Sequence, residues 1–340
     1  MITQTPSLTW EEAHKSFYLH KRAVRSANTA IWYRKYVKGL MNWAEAQEIP
    51  LEKFTNRHID QYLAFRADAG KAPATIHHDE LTACVFFEWC FKNDVIPRDP
   101  LKERKVRTAP KSYKYMPTAV EVKKLLQAIQ SFYDAEKNAK SAKGHSALNR
   151  SFHRDLTYAI ELVKLDSACR IGEILNFKLS DYGSTDKGRQ LTVRASKGRE
   201  PRTLPLSKTT TDAIDEWIKM RTRIMKDTPA DQDEKWLFIS EAGTRLNEGN
   251  YLRSLKKIVR WADLPASINN HSQRRFSLND MAKDENGGLL FAQSMAGHKD
   301  PKTTMIYLKI DSDYLREKHE QSSPVKGLMT ETIVKKRRLV

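Results

Sequence analysis

The chain has 340 residues, 40% apolar and 30% charged, with 7 Trp, 12 Tyr and 12 Phe; this excludes global disorder and leaves room for two domains, each with its own core. Lys and Arg number 59 against 42 Asp and Glu, a formal charge of +17 at pH 7, which favours a polyanionic partner such as nucleic acid. Apolar stretches fall far short of a bilayer span and MITQTPSLTW is unlike a secretory signal, so no membrane partner is expected and the cytoplasm is the natural compartment.

Charge alone does not choose between DNA, RNA and an acidic membrane surface. Cys84, Cys90 and Cys169 form no CxxC pair and sit in apolar surroundings, as reduced buried thiols would, better than disulfides or zinc ligands.

From Trp10 to Asn93 the sequence predicts four helices. SLTWEEAHKSFYLHKR offers Ser7 or Thr9 as a cap, with Glu11 and Glu12 in the first turn where carboxylates suit the helix dipole. NTAIWYRKYVKGLMNWAEAQ carries Ile31, Val37, Leu40, Met41 and Ala44 at helical spacing, with Arg34, Lys35 and Lys38 between them. TNRHIDQYLAFRADAG starts at a Thr55 cap and stops at Gly70, and APATIHHDELTACVFFEWCFKNDVI supplies the fourth helix. Trp32, Tyr33, Tyr36 and Trp43 form an aromatic stripe that suits either core packing or base stacking. These elements predict a small all-helical domain over 1–100.

A proline-punctuated, Lys/Arg-rich stretch follows and predicts an interdomain linker over 101–116, either a basic strap along a polyanion or a solvated connector. The second domain, 117–320, opens with the capped amphipathic helix TAVEVKKLLQAIQSFY. The polar stretch 134–155 shows no core face. LTYAIELVKLDSACRIGEILNFKLSD then predicts a mostly apolar helix pair. GRQLTVRASKGREPRTLPLS alternates β-branched residues on either side of Gly198, a hairpin signature. TTTDAIDEWIKMRTRIMK, NEGNYLRSLKKIVRWADL and FSLNDMAKDENGGLLFAQSMAGH return to helix. The expected fold class is therefore mainly α, with one small antiparallel sheet in the second domain. A basic tail over 321–340 ends in KKRRLV.

Several segments carry residues suited to phosphodiester chemistry. His271 and Arg274 stand at an HxxR spacing that shares a helix face, and His271 alone of ten histidines has Arg three residues on. In AGHKDPKTTMIY, Asp300 can cap a helix with Pro301 at N1, which places His298 just before it and Tyr307 about two turns in. Arg170 lies among Ile171, Ile174, Leu175 and Phe177, with Glu173 one helical turn along to orient it; a structural salt bridge would look the same. Lys197, in the turn ASKGRE, would alone be an ordinary hairpin lysine. Together, Arg170, Lys197, His271, Arg274, His298 and Tyr307 could act without metal. Two guanidiniums can bind non-bridging oxygens, a tyrosine hydroxyl can attack phosphorus, a histidine can accept a proton and a lysine can donate one.

In chain order and spacing these segments resemble the tyrosine recombinases of the phage integrase family. CRIGEIL resembles the family's first-arginine box, SKGREPRTLPL its lysine hairpin, HSQRR its His-x-x-Arg box and AGHKDPKTTMIY its Gly-His plus nucleophilic tyrosine. The resemblance spans the second domain, and the helical first domain resembles the family's SAM-like core-binding domain. It implies Tyr307 as nucleophile, Arg170 and Arg274 as phosphate clamps, Lys197 as general acid, His271 as general base and His298 as a phosphate hydrogen-bond donor. It implies no metal or nucleotide cofactor, and a 3′-phosphotyrosine intermediate on the way to a Holliday junction. The partners implied are double-stranded DNA recombination sites, a homotetramer formed from a dimer on each site, and accessory proteins. The residues before Arg170 read SAC where the family usually has a Gly-Leu type pair, and Gln273 stands where Leu is common; 134–155 looks like an insertion. The tail could pack on a neighbouring protomer, and Tyr314 is expected to be a surface or interface aromatic. A type IB topoisomerase, a telomere resolvase, an inactivated DNA-binding scaffold and a metal-dependent transposase are the rival readings.

Overall fold

A computed structural model describes residues 8–106, 114–135, 147–186, 188–195, 200–226, 235–283, 288–305 and 319. It divides into two compact units, Met1–Tyr113 and Lys114–Val340. Lys197, Tyr307, Tyr314 and the tail 321–340 lie outside the described residues, as do 136–146 of the expected insertion.

The first unit is built from α1 (Trp10–Val24), α2 (Ala27–Ala46), α3 (Asn56–Asp68) and α4 (Pro73–Lys92). Thr9 caps α1 in a capping box with Glu12, whose carboxylate accepts the Thr9 N–H at 2.9 Å. Thr55 begins α3 and Gly70, at φ +69°, follows its end, as the sequence suggests. The core is aromatic: Trp10 stacks on Phe86 with centroids 6.0 Å apart, and Phe54 on Phe87 at 4.7 Å. The aromatic stripe divides. Tyr33 and Trp43 pack on this core, whereas Trp32 and Tyr36 pair with each other at 4.8 Å and meet His78. Ile31, expected to face inward, is 55% exposed, because its position lies outside the arc shared by Val37, Leu40, Met41 and Ala44.

Leu101 belongs to the first unit's core, and Arg104 pairs with Glu80 at 2.6 Å and Asp60 at 2.9 Å. The start of the expected linker is thus folded onto the first unit. Near its other end, the Tyr115 carbonyl accepts from Arg275 Nη2 at 2.6 Å, within the second unit.

In the second unit α5 (Ala119–Ala135), α8 (Lys208–Lys226) and α10 (Asn270–Ala282) pack against α6 (Ala147–Ser167). The part of 134–155 that falls in α6 has a core face after all: Phe152 is 1% exposed and meets the Trp217 ring at 5.1 Å. A lone aromatic in a polar run hides that face from a periodicity search. α7 (Ile171–Ile174) is one turn only, so Arg170 precedes a helix rather than lying within one. The chain breaks there because Ala168 adopts φ +49°, a left-handed conformation costing a non-glycine residue about 1–2 kcal/mol. Among the described residues the sheet is antiparallel in the order β1 (Tyr182–Thr185), β2 (Gly188–Val193), β3 (Arg202–Pro205). Leu191 opposes both Tyr182 and Leu204 and turns inward. β2 and β3 are the expected hairpin strands; β1 is additional, too short to show alternation. After α9 (Glu248–Trp261) come α10, α11 (Gly288–Ala296) and α12 (Pro301–Met305), α11 packing on both of its neighbours. No described helix is long and apolar enough to cross a membrane.

Candidate active site

The site begins where α6 ends. Ser167 Oγ accepts the Cys169 N–H at 3.2 Å and the chain turns through buried Ala168. Ala168 packs with Leu278 of α10 and with Ala292 and Ala296 of α11, whose small side chains let this turn lie close against α11. The left-handed φ of Ala168, which a glycine would adopt without strain, puts the strain of this turn in the backbone.

Arg274, from the first turns of α10, is 3% exposed and spans this junction. Its Nη1 donates to the Ala168 carbonyl, and its Nη2 donates to the Ala296 carbonyl at 3.2 Å and to His298 Nε2 at 3.0 Å. A guanidinium has no acceptor, so His298 Nε2 must accept and its proton rests on Nδ1. That Nδ1 faces Thr304 Oγ1 at 2.9 Å, and Thr304 is fully buried on α12. Asp300 begins α12 as expected, its carboxylate taking the Lys302 N–H at 2.9 Å. His298 therefore stands between Arg274 and α12, whose last residue, Met305, is two positions before Tyr307 in the sequence.

Arg170 reaches the same place from the α7 side. Glu173 Oε2 accepts the Arg170 N–H at 3.0 Å, and Glu173 Oε1 lies 3.7 Å from Arg170 Nη1. Burial pushes the Glu173 carboxyl up, but hydrogen bonds from Arg202 and the Arg170 backbone and the charges of both arginines outweigh it and hold it below the ordinary range. His271 lies in the first turn of α10 on the exposed side. Partial burial, then the charges of Arg275, Arg274 and Arg170 against Glu248, lower its pKa below the usual histidine value. Cys169 is a free thiol that burial pushes up to about 11; Cys84 and Cys90 are free as well.

The structure thus brings together Arg170, Glu173, His271, Arg274 and His298 of the expected set. Two residues that sequence reasoning did not single out complete the arrangement. Thr304 looked like one more polar residue in KDPKTT. Arg202 sits on β3 two residues before buried Leu204 and so on the same face, where its side chain is 12% exposed against Glu173. An open cavity of about 600 Å³ lies beside Arg202, Gly297 and His298.

The profile of the phage integrase family matches residues 117–313, which hold all of these boxes. The chain belongs to the phage integrase family. It is a tyrosine-type site-specific recombinase, an enzyme that breaks and rejoins DNA. Tyrosine recombinase XerC of Alcanivorax borkumensis is 27% identical over 255 residues, 75% of each chain. Among solved structures, the XerH site-specific recombinase bound to its difH substrate aligns with a TM-score of 0.63 at 18% identity, over 91% of this chain and 84% of that one. A lambda integrase tetramer bound to a Holliday junction aligns with a TM-score of 0.64 at 18% identity, over 89% and 78%. These recombinases share the fold: helical units with one small antiparallel sheet.

Proposed function

We propose that Tyr307 is the nucleophile and that Arg170, Lys197, His271, Arg274 and His298 serve it in the cleavage of double-stranded DNA. The supporting observation is the convergence of Arg170, Arg274, His271 and His298, from three separate segments, on one locus.

In this reading the Tyr307 oxygen attacks a backbone phosphorus while the bond to the 5′-oxygen breaks. His271 receives the phenolic proton, for which its lowered pKa keeps it neutral near pH 7. Lys197 gives a proton to the departing oxygen, leaving a 5′-hydroxyl and a 3′-phosphotyrosine. One phosphate ester replaces another, so no ATP is needed to conserve the bond, and the reverse attack by a partner strand's hydroxyl rejoins the DNA. Arg170 and Arg274 offset the charge that develops on the non-bridging oxygens. As a phosphate draws Arg274 away, the imidazole can change tautomer by losing its Nδ1 proton to water and taking one from water at Nε2; the Thr304 hydroxyl then donates to Nδ1 and Nε2 donates to a phosphate oxygen.

We assign the first unit to grip DNA with its basic face, the segment beyond Tyr307 to pack on a neighbouring protomer, and the assembly to a homotetramer with a dimer on each site. The work is placed in the cytoplasm, on nucleoid or element DNA. The test is strand exchange between two differently labelled DNA sites in the presence of chelator. Recombinant products through a Holliday junction support the reading. Relaxation of supercoils at any sequence would assign a topoisomerase, and dependence on a divalent ion would assign a transposase-like reaction.

A further inference from the structure

One side chain outside the conventional set of reacting groups touches several of their supports. Arg202, five residues past Lys197, sends its guanidinium in three directions. Nη2 donates to Glu173 Oε2 at 3.0 Å and Nη1 lies 3.5 Å from Glu173 Oε1. Nε donates to the Met295 carbonyl at 3.1 Å, and Nη2 lies 3.5 Å from Cys169 Sγ. Gly297 lies flush against it: at φ +64°, a Cβ on residue 297 would come within 2.8 Å of Arg202 Nη1. The glycine before His298 therefore meets two demands, a left-handed backbone and space for a guanidinium.

We propose that Arg202 is a positioning residue for DNA cleavage, tying the Arg170 segment and the Gly297-His298 segment to the strand that follows Lys197. This rests on the recombinase reading of the same site. Through Glu173 it sets both the backbone N–H and the guanidinium of Arg170; through Met295 and Gly297 it sets the approach to His298. Glu173 is one carboxylate between two guanidiniums, so a positive charge remains on the Arg170 side for an incoming phosphate. Only an arginine serves here, because the fork meets a carboxylate with two nitrogens while its Nε reaches a carbonyl behind; a lysine ammonium is one point charge.

The experiment is single-turnover cleavage of a nicked suicide substrate by the full chain, with DNA affinity and melting temperature measured alongside. Arg202→Lys should bind DNA as the wild type does, melt within a few degrees of it, and cleave about 10–100-fold more slowly, the scale of a misplaced reacting group. Glu173→Gln should lose a similar factor. The double variant should be little slower than the slower single, because both changes break one chain of contacts. Wild-type cleavage by Arg202→Lys would overturn the proposal, as would fully multiplied losses in the double variant. A lysine variant that fails to fold would assign Arg202 to the core and overturn it too. Failure of the wild type to form any covalent adduct would strike at the recombinase reading and take this proposal with it.

Discussion

Replacing Thr304 by Val keeps its shape and removes one oxygen. Thr304 is fully buried and its hydroxyl lies 2.9 Å from His298 Nδ1, so the change strips the imidazole of a partner without opening a cavity. Leaving a buried polar nitrogen unsatisfied costs about 1–3 kcal/mol. In a unit of this size that corresponds to a fall in Tm of roughly 2–12 °C. If the bond is worth that much more as the phosphate is attacked than before it, its loss slows cleavage by between about fivefold and about 150-fold, since 1.4 kcal/mol is a factor of 10. Thr304→Ser separates packing from hydrogen bonding. It keeps the hydroxyl and gives up one buried methyl, about 0.8 kcal/mol, so it should melt lower yet cleave close to the wild-type rate. The assay is covalent protein-DNA adduct formation on a suicide substrate, with thermal melting of each variant. A folded Thr304→Val that cleaves like wild type would refute the claim that this hydroxyl holds His298 for the reaction.

Two further outcomes follow from other parts of the second unit. Lys164 and Glu161, 2% and 0% exposed, pair at 2.8 Å inside α6, and Lys164 also reaches the Tyr251 hydroxyl at 3.1 Å. Lys164→Met leaves a buried carboxylate without its cation and should cost about 3–5 kcal/mol in chemical denaturation, most of it recovered in Lys164→Met/Glu161→Leu; an additive double variant would show the pair is not coupled. For His271, the folded-state pKa lies below the usual value, so the neutral base persists as pH falls past the ordinary histidine range, and cleavage should fade only below it. Arg275→Gln removes the largest of the charge effects, raises that pKa and should shift the acid limb of the rate profile to higher pH. An unmoved limb would mean that another group titrates.

The sequence carried the parts of this structure that are local. Thr9 with Glu12, Thr118 with Glu121 and Asp300 ahead of Pro301 announce helix starts because a cap bonds within one turn. The boxes around Arg170, His271 with Arg274, and His298 were legible for a similar reason, since each is a short segment with its chemistry written in it. What bonds across the fold was not legible. Arg202 reaches Met295 and Arg274 reaches Ala168 over long separations; alternation puts Arg202 on the same face of β3 as Leu204 but does not name the partners it meets there. Lys164 and Glu161 look like a solvated pair at i, i+3 and turn out to lie within the core, because α6 has neighbours on several sides. Ile31 fails in the opposite sense, an apolar residue at helical spacing left in solvent. The apolar run around Arg170 predicts a helix through it; the left-handed Ala168 breaks that helix two residues earlier.

The central claim is that Tyr307 becomes joined to DNA in a site held by Arg170, Arg274, His271 and His298. It is tested most directly by trapping the covalent complex on a nicked substrate, digesting it and locating the nucleotide-bearing peptide by mass spectrometry. The account predicts a 3′-phosphate ester on Tyr307 and no adduct with Tyr307→Phe, which should still bind the same DNA. An adduct on Tyr314, or one that survives in Tyr307→Phe, would contradict it.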